Sequence, residues 1–218
     1  MGFGFRVRVE GDYALFSRPE LKVERYTYDV ITPSAARGVL EAICWKPAIR
    51  YVIDKIHVMK PIQVTNIRRN EVSAKGSANL ARSAMRGNGI PLYISTSNTI
   101  QQRASLILKD VSYIIEAHFE MTEKAQERDT PEKFYNMILR RIRNGQCYHQ
   151  PYLGCREFPA RFYLVEEGEA ITPLPMNRDL GLMLYDLDYS DPEQIQPTFF
   201  QAVLKGGTID LTDCEVMR

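Results

Sequence analysis

No stretch of this sequence approaches the roughly 20 consecutive apolar residues that a membrane span needs. The start, Met-Gly-Phe-Gly-Phe followed by Arg6 and Arg8, lacks the apolar run of a secretory signal. A cytoplasmic chain with no membrane partner is expected. Cysteine is sparse: Cys44, Cys147, Cys155 and Cys214 include no Cys-x-x-Cys pair, and a chain of 218 residues does not need disulfides to stabilise its core. They read as reduced thiols. His149 between Cys147 and Cys155 brings at most three ligands and matches no common structural zinc spacing. Neither a metal nor a cofactor is expected. Repeats and low-complexity segments are absent, which excludes solenoids and fibres.

What is present is ordinary for a folded protein: 44% hydrophobic and 25% charged residues. The length suits one main domain with a smaller second layer, divided here as residues 1–167 and 168–218. The net charge of +1 conceals an uneven distribution. Basic residues gather between Asn66 and Gly89, including Arg68, Arg69, Lys75, Arg82 and Arg86, and again in Leu139–Gly145 with Arg140 and Arg141. Acidic residues collect in the last third. A basic side on a near-neutral protein suits a polyanion.

Phe3, Phe5, Val7 and Val9 alternate with Arg6, Arg8 and Glu10, the pattern of a strand with one buried face. Residues 12–30 read as a hairpin-like excursion interrupted by Pro19. Thr32 and Pro33 then open a helix whose apolar residues Ala36, Val39, Leu40 and Ile43 share a side. The Ile- and Val-rich segment 48–67, divided by Pro61, reads as one or two strands, and 74–91 as a long mobile loop. A turn is expected at Lys109 and Asp110, before a strand from Ser112 to Met121. Thr130 and Pro131 open a second helix ending before Gly145. Strands follow in 159–168, 178–189 and 197–211, the last with a turn at Gly206 and Gly207. The order is α+β, the split βαβ pattern of a ferredoxin-like, RNA-recognition-motif-like N-terminal domain, with a C-terminal antiparallel β-sheet extension.

Within Ser112–Met121, two-residue alternation projects Glu116 and His118 to the same face. A carboxylate and an imidazole there form either a solvated surface or a proton-transfer site, histidine being the side chain suited to that task near neutral pH. His57 reads as structural. Tyr13, Phe16, Tyr26 and Tyr28 can stack bases or fill a core. Arg156 and Glu157 form a local ion pair, or Arg156 reaches a polyanion.

Three segments in order, Gly11-Asp12-Tyr13-Ala14, Trp45-Lys46-Pro47 and Gly154-Cys155-Arg156-Glu157, with the strand motif between the second and third, resemble the type I-C member of the fifth CRISPR-associated protein family. That is the repeat-processing ribonuclease of the RAMP superfamily, and the resemblance spans nearly the whole chain. It implies an endoribonuclease that binds a CRISPR repeat hairpin and cleaves pre-crRNA at its base without a metal, the substrate's own 2′-hydroxyl attacking the adjacent phosphate. It also implies retention of the crRNA 5′ handle within the type I-C interference complex, beside its backbone and large subunits.

By residue, the resemblance implies a catalytic set of His118, Cys44, Lys46 and Glu116, with Cys44 where the family carries tyrosine and Glu116 where lysine is common. Lys46, Lys109 or Lys22 supplies the cation. RNA binding is expected of Lys22, Arg25, Tyr26, Arg68, Arg69, Lys75, Arg82, Arg86, Arg140, Arg141 and Arg156. The alternative role is a non-catalytic subunit that holds the 5′ handle.

Overall fold

The alternating apolar residues at the start of the chain form β1 (Phe5–Ala14), which turns Phe5, Val7 and Val9 inward. The structure, a computed structural model, describes residues 3–21, 23–87, 91–191 and 193–218. After β1 the chain closes on itself, Arg18 N donating to Tyr26 O and Tyr28 N to Phe16 O, and the two-residue β2 (Arg25–Tyr26) follows. Helix α1 (Pro33–Ile43) starts where the sequence predicts, the Thr32 hydroxyl accepting from Ala35 N at 3.2 Å. Pro61 divides the next segment into β3 (Ile49–Val58) and β4 (Val64–Val72).

Two expectations need correction. The segment read as a long loop contains α2 (Ala78–Met85), capped by the Ser77 hydroxyl on Leu80 N at 3.2 Å, followed by the single turn α3 (Thr96–Thr99). The glycines and basic residues of this segment obscured a Ser cap before a short Ala-Leu-Ala run. Residues 88–90 lie outside the described residues. The turn expected at Lys109 and Asp110 is absent. One strand, β5 (Ile100–Met121), runs through it, with Asp110 alone at φ 51° and its carboxylate held by Lys60 Nζ at 2.7 Å. A single residue in the left-handed region distorts the strand without reversing it, because neighbours on both sides hold the ladder.

Helix α4 (Pro131–Arg143), capped by Thr130, precedes β6 (Arg161–Leu164), β7 (Arg178–Asp188), β8 (Gln196–Leu204) and β9 (Thr208–Asp210). The main sheet has the order β6-β1-β5-β3-β9, antiparallel throughout, while β4 and the short parallel β2 pair the first half of β5. The fold is therefore α+β around a mostly antiparallel sheet. Strands β7 and β8 form a separate antiparallel hairpin tied to α1 by Arg37 and Asp186 at 2.7 Å. Tyr28 Oη, accepting from Leu184 N at 3.3 Å, ties the same hairpin to the segment before α1.

Ala36, Val39, Leu40 and Ile43 of α1 and Phe134, Ile138 and Ile142 of α4 share one cluster with Val7, Val9, Ile53, Ile56, Ile115, Ala117 and Phe119. Each fully buried aliphatic side chain contributes roughly 1.5–3 kcal/mol. With both helices on that face, the opposite face, where Arg6, Arg8, Glu116 and His118 project, stays half-open.

Candidate functional site

The half-open face is organised by an irregularity in β3. Pairing with β5 runs Val52↔His118 and Ile53↔Ala117, then resumes at Lys55↔Glu116, so Asp54 is the extra residue of a β-bulge. Ile53 and Ile56 both stay in the core. The bulge lets Asp54 and Lys55, adjacent in sequence, serve the same face.

Glu116 and His118 do share a face, as alternation predicts, yet they hold different partners. His118 Nδ1 lies 2.9 and 3.0 Å from the two carboxylate oxygens of Asp54. Glu116 Oε1 lies 3.2 Å from His57 Nε2, within ion-pair reach but off the line of a hydrogen bond. His57 Nδ1 meets Thr208 Oγ1 of β9 at 2.9 Å, in keeping with a structural role. Lys55 Nζ bonds Asp210 at 2.9 Å, and that hydrogen bond holds the ammonium above its usual range. Arg6 pairs with Glu116 in register, but its guanidinium is committed to the carbonyls of Glu166 at 2.7 Å and Glu169 at 3.3 Å. Arg6, Asp54 and Glu116 line a cleft of about 630 Å³ that reaches Arg143 of α4.

Cys44 does not belong to this group. It caps α1 and is buried in the core, and burial pushes its thiol up. Tyr51 Oη donates to its carbonyl at 2.5 Å from the apolar side of β3. His118 faces the other way, so the fold separates the two. Lys46, half-buried, lies near Cys44 with Arg140 and Arg141, not beside His118. Arg141 Nη1 caps α1 by donating to Ile43 O at 2.8 Å, while Arg140 is exposed. Trp45 and Tyr148, 58% and 79% exposed, accompany this basic cluster.

Among the described residues the cation beside Glu116 is Lys55, rather than Lys46 or Lys109. Lys109 lies in the exposed distortion of β5, and Lys22 is outside the described residues. The signal for Lys55 was Ile-Asp-Lys-Ile, two charged residues between two apolar ones where strict alternation allows one.

The remaining basic residues divide into two groups. Arg68, Lys75, Arg82 and Arg86 are exposed along β4 and around α2, with Arg82 donating to Asn79 Oδ1 at 3.2 Å. Tyr26 is exposed nearby on β2. Arg25 and Arg69 are engaged internally. Arg25 bonds Glu71 at 3.2 Å, and Arg69 contacts Glu157 and Ser105. Glu157 therefore pairs with Arg69, and the local Arg156–Glu157 pair is not formed, which leaves Arg156 exposed. Among the described residues no group of three or more His, Cys, Asp or Glu side chains is arranged to hold a metal ion, and no helix is long and apolar enough to cross a membrane.

The glycine motifs meet each other. Gly154 has φ 83°, and a Cβ there would fall 1.9 Å from Leu15 O, while one on Gly11 would fall 2.4 Å from Leu153 Cδ1. The loop thus lies against β1 at backbone distance, Leu15 N donating to Leu153 O at 3.0 Å.

The sequence profile of the family described as CRISPR-associated protein (Cas_Cas5) matches residues 4–212. A protein of Mannheimia succiniciproducens named CRISPR pre-crRNA endoribonuclease Cas5d is 50% identical over 215 residues, 94% of this chain and 93% of that one. A Thermus thermophilus protein of the same name is 43% identical over 195 residues, 89% of this chain and 78% of that one. A solved structure described as a CRISPR-associated protein superposes with a TM-score of 0.69 at 25% identity, covering 99% of this chain and 96% of that one.

Proposed function

The chain belongs to the CRISPR-associated Cas5 family, and from that premise we propose that it is the endoribonuclease that cuts pre-crRNA at the base of the repeat hairpin. The observation that carries this reading is His118: a half-exposed imidazole on the open sheet face, gripped at Nδ1 by a carboxylate. The repeat's 2′-hydroxyl gives its proton to His118 Nε2 and the 2′-oxygen bonds the adjacent phosphorus. The P–O5′ bond breaks, leaving a 2′,3′-cyclic phosphate and a 5′-hydroxyl once that oxygen regains a proton. Such a path asks the protein for a base, an acid and positive charge, and is proposed to run without a metal or cofactor. Lys55 brings positive charge to the same face while bonded to Asp210, and Arg143 brings it to the neighbouring cleft while paired with both carboxylate oxygens of Glu166 at 2.8 Å. Glu116 holds His57 rather than substrate, and buried Cys44 takes no proton-transfer role.

The repeat hairpin is read by the exposed set Tyr26, Arg68, Lys75, Arg82, Arg86, Arg140 and Arg156 with Lys46, while Arg25, Arg69 and Arg141 fix the surface that presents them. The strand order β6-β1-β5-β3 with two helices on one face supports the ferredoxin-like reading of residues 1–167. Residues 168–218 act as the extension that braces α1 and edges the sheet. In the cytoplasm the protein keeps the 5′ handle and joins the backbone and large subunits of the type I-C complex.

The decisive test is single-turnover cleavage of the cognate repeat RNA in EDTA, with a 2′-deoxy substrate at the cut site as control. Cleavage of the ribose substrate alone upholds the reading, and an intact ribose substrate that still binds overturns it. The burial of Cys44, at the position where the resembling family carries tyrosine, favours a second reading in that event: a non-catalytic subunit holding the 5′ handle.

A further inference from the structure

We infer that Asp54 is the positioning residue for His118, and that the β3 bulge is the device that aims it. The inference rests on reading His118 as the proton-transfer group. An ionised carboxylate only accepts hydrogen bonds, so contacts of 2.9 and 3.0 Å from Nδ1 to both Asp54 oxygens place the ring proton on Nδ1. The lone pair of the neutral ring is then on Nε2, which has no hydrogen-bond partner among the described residues. An imidazole held this way presents its basic nitrogen outward in one tautomer and one orientation.

The backbone explains why the carboxylate is there. In a regular ladder Asp54 would have its own partner on β5. The register instead steps from Ile53↔Ala117 to Lys55↔Glu116 and leaves Asp54 unopposed. Extra residues of this kind disrupt a ladder locally, and they re-aim side chains next to active sites. Here the Asp54 carbonyl is satisfied from outside the pair, accepting from Leu211 N at 2.8 Å just past β9. Lys55↔Asp210 and Ile56↔Ile209 then pin the strand on the far side of the bulge. The C-terminal segment thereby holds in place the backbone that aims Asp54 at His118.

The test is long-range ¹H–¹⁵N spectroscopy of the histidine side chains of the whole protein, with His118→Gln to assign the ring, alongside single-turnover cleavage of the cognate repeat. In wild type the neutral His118 ring carries its proton on Nδ1. Asp54→Asn shifts it towards the Nε2–H tautomer, leaves the His57 and His149 signals in place, and slows cleavage roughly 10²-fold with repeat affinity unchanged. An Nε2–H ring in wild type, which requires no variant to fold, overturns the inference, as does an Asp54→Asn protein that cuts at the wild-type rate. If wild type leaves the repeat intact, the ribonuclease reading falls by itself. The wild-type tautomer then decides separately whether Asp54 orients His118.

Discussion

Lys55 stands directly across from Glu116 on the open face of the sheet, at a register position it reaches only because Asp54 adds one residue to β3. That displacement gives His118 a carboxylate partner and leaves Glu116 to His57.

His118→Ala should reduce single-turnover cleavage by roughly 10²–10⁴-fold, the usual contribution of a positioned acid or base, while repeat affinity is unchanged. Cys44→Ala should leave the cleavage rate near wild type, because the thiol lies in the core on the other side of the sheet. A large cleavage defect in a folded Cys44→Ala protein would contradict the arrangement described.

The two classes of arginine should separate in binding assays. Arg68→Ala removes an exposed charge and should weaken repeat binding while lowering the salt slope by about 0.7–0.9 for each phosphate no longer neutralised. Arg69→Ala instead strands Glu157 and removes a bond to Ser105, so its first effect should be a lower urea midpoint. Equal salt slopes for Arg68→Ala and wild type would remove Arg68 from the interface.

Acid should expose the C-terminal anchor of the bulge. Thr212 and Lys55 hold the Asp210 carboxyl down to about 2, from an ordinary value of 3.8. A depressed carboxylate adds stability above its unfolded value, and that stability is lost as pH falls through the folded value. The urea midpoint of wild type should therefore fall between about pH 4 and pH 2 more steeply than that of Asp210→Asn. Parallel curves would show that the Lys55–Asp210 contact does not persist in solution.

Gly154→Ala should cost about 1–3 kcal/mol or more, since φ of 83° and contact with the Leu15 carbonyl both oppose a side chain. Thermal or urea unfolding measures this directly. A neutral substitution would mean that the loop does not lie against β1 as described.

Local rules exposed much of this molecule. The paired Thr-Pro starts at Thr32 and Thr130 marked α1 and α4, and alternation set the inward faces of β1 and of the second half of β5. Alternation also put Glu116 and His118 together. It misjudged Lys109 and Asp110, where a polar pair that resembles a turn sits within a strand paired on both sides. It missed α2, whose cap was hidden among glycines and arginines.

What the sequence by itself determined is the period of each segment and hence which side chains share a face, because backbone geometry repeats every two or 3.6 residues whatever lies across from it. Only the tertiary structure decided which charges meet: Asp54 with His118, Glu157 with Arg69 rather than Arg156, and Cys44 in the core away from both. Those pairings depend on register between strands far apart in sequence, and a single bulge changes every partner beyond it.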